Sequence, residues 1–70
     1  MTKIELNDVV FATVTQHGST LASLRLSGIS SMTHLLQYVH KYLSSLKGMA
    51  TLVVRNSSQG WTATQALYMR

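Results

Sequence analysis

Apolar and polar residues alternate along residues 3–16, with Ile4, Leu6, Val10, Ala12 and Val14 sharing one face. A period of two is the signature of a strand buried on one side. Asp8 interrupts the apolar face and predicts a bulge or bend near Asn7 and Asp8. The alternation resumes over residues 20–27 with Ala22, Leu24 and Leu26. Pairing Gln16 with Thr20 sets Val14 against Ala22 and Ala12 against Leu24, so that apolar residues meet apolar ones. The connecting "HGS" loop then carries its glycine in the middle, whereas a three-residue hairpin loop favours glycine last.

The period changes after Gly28. Over residues 31–47, Met32, Leu35, Leu36, Val39, Tyr42, Leu43 and Leu46 recur at spacings of three and four. On a helical wheel they fill a stripe about 120° wide, which predicts a helix with one buried face. Ser30 or Ser31 can cap its N-terminus, Lys47 suits its C-terminal end, and Gly48 fits the left-handed position just beyond. Alternation returns over residues 49–55 with Ala50, Leu52 and Val54. Over residues 61–69 Trp61, Ala63, Leu67 and Met69 alternate, with Gln65 as the polar exception. A turn through Ser57, Ser58, Gln59 and Gly60 makes these a second hairpin with Val54 opposite or diagonal to Trp61 and Ala63. Trp61 then packs toward Val54 and the helix, closing the core.

The order ββαββ predicts a two-layer α+β domain spanning residues 1–70, a four-stranded antiparallel sheet with one helix on one face. Spatial orders 2-1-3-4 and 1-2-4-3 both keep neighbours antiparallel. The first is preferred, because strand 1 is the longest and most apolar.

Composition adds a second expectation. The chain is 46% hydrophobic, yet only 11% of its residues are charged, against roughly 25% in ordinary domains. A chain this short buries a modest core, and no cysteine is present to staple it. Self-association is therefore expected, as a homodimer. The formal charge of +4 suits an anionic partner. No run of about 18 apolar residues occurs, so no membrane span is expected. The N-terminal "MTKIELNDVV" lacks a signal-peptide core, which predicts a cytoplasmic location and leaves the Asn56-Ser57-Ser58 sequon unused.

Catalytic chemistry is thinly represented. The acidic residues are Glu5 and Asp8, and neither pairs with a histidine at any local spacing. No serine lies in a nucleophile-elbow pattern. His34 and His40 are six apart, about 120° around a helix, rather than at the four-residue spacing that zinc helices use. The four glycines stand alone, so there is no phosphate loop. The expectation is a non-enzymatic domain with no metal and no cofactor.

The odd-numbered face of strand 1 and its neighbours carries more information. Parity places Lys3, Glu5, Asn7, Val9, Phe11, Thr13 and Thr15 there. Arg25, Arg55 and Arg70 fall on the same face, as does Tyr68. Aromatic rings among arginines are the elements of a single-stranded nucleic-acid platform, where bases stack and guanidinium groups meet phosphates. Phe11, Arg25, Arg55, Tyr68 and Arg70 are the expected contacts, to single-stranded DNA or RNA. The same residue types serve protein interfaces, and Val9, Phe11, Leu21, Val53 and Tyr68 could instead be the centre of a dimer or of contact with another protein. An RNP motif is absent.

Overall fold

A computed structural model describes residues 3–69. The elements run β1 (Val10–Gln16), β2 (Ser19–Leu26), α1 (Met32–Tyr42), β3 (Gly48–Asn56) and β4 (Trp61–Met69). The sheet is antiparallel throughout, in the order β2-β1-β3-β4. This is the α+β ββαββ arrangement expected, with the preferred strand order. Arg70 and the side chain of Met69, which the sequence places in the site and in the core, lie outside what is described.

The alternation places the core. Val10, Ala12, Val14, Leu26, Ala50, Leu52, Val54 and Leu67 are buried on one face of the sheet, against Leu35 and Val39 of α1. Full burial of each valine or leucine among them stabilises the fold by about 1.5–3 kcal/mol. Met32, Leu36, Leu43 and Leu46 pack at the margin. Ser31 caps the helix, its Oγ accepting the His34 backbone N–H at 3.1 Å.

Five expectations are corrected. The first strand does not begin at residue 3. The chain turns instead at Glu5–Asp8, where the Asp8 N–H donates to the Glu5 carbonyl at 2.9 Å. Ile4 is buried, but Leu6 is 61% exposed, and Lys3, Glu5 and Asn7 do not belong to the sheet face. The first hairpin is tighter than a three-residue loop: Gln16 faces Ser19, and His17 and Gly18 make the turn with φ of 53° and 77°. Positive φ at both positions is the type I′ requirement, whose twist matches that of the strands. The register still sets Val14 against Ala22 and Ala12 against Leu24 as expected, because Leu21 is an extra residue in a bulge that absorbs the one-residue difference.

The helix also stops at Tyr42 rather than at residue 47. Leu43 leaves helical geometry at φ −108° and ψ 38°, and the serines at 44 and 45 compete with helix through their own hydroxyls. Tyr42 is 58% exposed, not part of the buried stripe. Gly48 does not terminate the helix but opens β3, with φ 91°. Gln16 fastens this junction, its Nε2 donating to the carbonyls of Lys47 at 2.9 Å and Met49 at 3.3 Å.

Candidate nucleic-acid interface

The helix covers one face of the sheet and leaves the other open. On that open face the register of three strands builds a transverse row. Phe11 of β1 lies opposite Arg25 of β2 on one side and Arg55 of β3 on the other. Arg55 in turn faces Thr62 of β4. Cross-strand partners on one face have Cβ atoms about 5 Å apart, so the order Arg25–Phe11–Arg55–Thr62 is a continuous contact line. The Arg55 guanidinium carbon lies 4.8 Å from the centroid of the Phe11 ring, within cation–π range. Both arginines are exposed, and Phe11 is half-buried.

No strand contains an aspartate or glutamate. Glu5 lies in the N-terminal turn, where it meets Lys3 in a solvent-exposed ion pair at 4.0 Å. The open face therefore presents cations with no competing carboxylate. The rows beyond are Ser23–Thr13–Val53–Thr64 and then Thr15–Thr51–Ala66, small and mostly hydroxylated.

Tyr68 is on the same face, 70% exposed, but the structure does not bring it to Phe11. It pairs with Met49 at the far end of β3, six residues from Arg55. At about 3.3 Å per residue that is roughly 20 Å along the strand. Within one chain Phe11, Arg25 and Arg55 come together and Tyr68 stands apart.

The turn that follows Arg55 has a role of its own that local sequence patterns do not announce. Asn56 is fully buried and Asp8 nearly so. Asp8 Oδ2 accepts from Asn56 Nδ2 at 2.8 Å, from the Glu5 backbone N–H at 2.9 Å, and from Gln59 Nε2. Asn56 Oδ1 accepts the Gln59 N–H at 2.9 Å. The Lys3 carbonyl accepts from Trp61 Nε1 at 3.0 Å and from Asn56 Nδ2 at 3.4 Å. The hydrogen bond from Asn56, with those from the Glu5 backbone and Gln59, holds the Asp8 carboxyl below its ordinary 3.8, against burial, which pushes it up. Residues 56–61 thus clasp the N-terminal segment against the end of the sheet. Trp61 packs on the core as expected, and its indole N–H also fixes that segment. The sequon asparagine is inside the clasp with both amide atoms engaged, so the folded chain offers it to no glycosyl carrier.

Three amide donors on one oxygen make Asp8 a structural acceptor. Among the described residues no three histidines, aspartates or glutamates gather. On the outward side of α1, Tyr38, Lys41 and Tyr42 line a groove of about 270 Å³. No helix among the described residues is long and apolar enough to cross a membrane. Comparison with protein-family models, with curated proteins and with solved structures finds no match.

Proposed function

We propose that this chain is a non-enzymatic binding domain that takes single-stranded nucleic acid on the sheet face opposite its helix. The observation that supports this most is the row Arg25–Phe11–Arg55, an aromatic ring between two cations on a face without carboxylates. A ring and the guanidinium lying on it both offer flat surfaces to an unstacked base. The two arginines flank that position and can each meet a phosphate. The serines and threonines of the neighbouring rows supply hydroxyl donors and keep the platform flat. A cytoplasmic site of action belongs to the same proposal.

Fluorescence anisotropy with short single-stranded DNA, single-stranded RNA and duplex tests the reading. Binding to single strands at micromolar protein, weakening steeply as salt rises, is expected, since each phosphate contact releases counterions. Absence of salt-sensitive binding to any of the three would overturn it. A second reading, contact with another protein, is favoured by the exposure of Leu21, Met49 and Tyr68 on the sheet. That contact would bury apolar area and would respond weakly to salt.

A further inference from the structure

The two edges of the sheet differ. β2 is interrupted by the Leu21 bulge and carries Arg25, two devices that discourage a further strand from pairing. β4 has neither. Its nine residues, WTATQALYM, contain no charge and no proline, and its register against β3 runs without a shift from Trp61 to Met69. Among the described residues its outer side pairs with no other strand. A long, flat, uncharged edge is a template for another extended segment.

From this edge we infer that two copies of the chain join through β4, antiparallel about a two-fold axis at Gln65, into one eight-stranded sheet. The chain carries a net +4, so contacts between the cation-bearing surfaces of two copies are disfavoured. Of its two edges, β4 is the one without a cation. The sequence is also self-complementary about Gln65. Pairing Gln65 with its own counterpart sets Ala63 opposite the partner's Leu67 on the helix side of the sheet, apolar against apolar. Gln65 is the polar exception in that row and is half-buried. On the axis its carboxamide meets its twin, and two carboxamides can donate to and accept from each other.

The same register completes the open face. A two-fold axis perpendicular to the sheet keeps both helices on one side and both open faces on the other. It pairs Thr62 with the partner's Tyr68. The row Arg25–Phe11–Arg55–Thr62 then continues directly into the partner's Tyr68, which stands roughly 20 Å away within its own chain. Each copy supplies the second ring to the other's row. The interface itself does not depend on nucleic-acid binding; only the use of the completed row rests on that reading.

Sedimentation equilibrium without nucleic acid tests the interface, so its failure and that of the ligand are separate. The wild type is expected at the mass of two chains. Gln65→Lys and Gln65→Glu place like charges on the axis and are each expected as monomers with unchanged circular dichroism, while their equimolar mixture regains the dimer. Because the chain has no cysteine, Gln65→Cys reports the register without disrupting it. Oxidation should cross-link it, while Thr62→Cys, whose copies would lie roughly 20 Å apart, should stay uncrosslinked. A wild-type monomer at all concentrations, or a dimer indifferent to charge at residue 65, overturns the proposal. Thr62→Cys cross-linking in place of Gln65→Cys overturns it equally.

Discussion

Arg55 lies over the ring of Phe11 at 4.8 Å, and the strand register holds Arg25 at the ring's other flank. The pairing of β1 with both neighbours fixes the backbone positions of the three residues, so the row is set out along the sheet before a ligand arrives.

Phe11→Ala is expected to weaken binding of a short single strand by about 1–3 kcal/mol, or roughly 5- to 150-fold, the range for losing one base–aromatic stack. Arg25→Gln is expected to act differently. It should reduce the slope of log affinity against log salt by about 0.7, the share of one phosphate contact on a single strand. Anisotropy titrations at several salt concentrations separate the two effects. Equal slopes for wild type and Arg25→Gln would remove Arg25 from the site.

The clasp gives the fold a sign in pH. Asp8 titrates below its ordinary 3.8 when folded, so the unfolded chain binds its proton first as pH falls. The stabilisation it provides is complete above the unfolded value and is lost as pH drops through the lowered folded value. Thermal unfolding should show a melting temperature that is flat near neutrality and falls below about pH 4. Asp8→Asn keeps one carbonyl oxygen for the three donors but removes the charge that strengthens those bonds, so it should melt lower at neutral pH and lose that acid-side slope. A parallel decline in both proteins would refute the assignment.

His17 occupies the first position of a type I′ turn at φ 53°, where asparagine is favoured. His17→Asn is expected to stabilise the fold by about 0.5 kcal/mol or more, by relieving that strain. Urea unfolding measures this, and a loss of stability would contradict the turn.

Gly48 opens β3 at φ 91°, and a Cβ there would stand 3.3 Å from Gln16 Nε2. Gly48→Ala should cost about 1–2 kcal/mol from backbone strain. Removing the contact with Gln16→Ala should not restore it, because the strain remains. Full rescue in the double variant would assign the cost to crowding.

The sheet is legible because period-two alternation states which face each residue takes, and the length and apolar character of strand 1 put it inside the sheet. Parity also gave the open face Phe11, Arg25, Arg55 and Tyr68. It does not give the register of β3 against β1, which the helix separates in sequence, and so the separation of Tyr68 from Phe11 is hidden. The bulge at Leu21 leaves no trace in the alternation, because the register on its far side, Val14 with Ala22, is satisfied with or without it. The clasp joins Asp8 to Asn56 across 48 positions, and no local pattern announces such a pair. Asp8 was visible only as a break in an apolar row. The helix end was misplaced because Leu43 and Leu46 keep the apolar spacing after the backbone has left the helix; they pack on the core from a turn instead.

The most direct measurement is a backbone-amide NMR map on adding a short oligothymidylate. The account predicts that shifts concentrate at Phe11, Arg25, Arg55 and Thr62, on three adjoining strands and the edge, while residues 32–42 of the helix stay unmoved. Shifts centred on Tyr38, Lys41 and Tyr42, or no shifts at millimolar ligand, would contradict it.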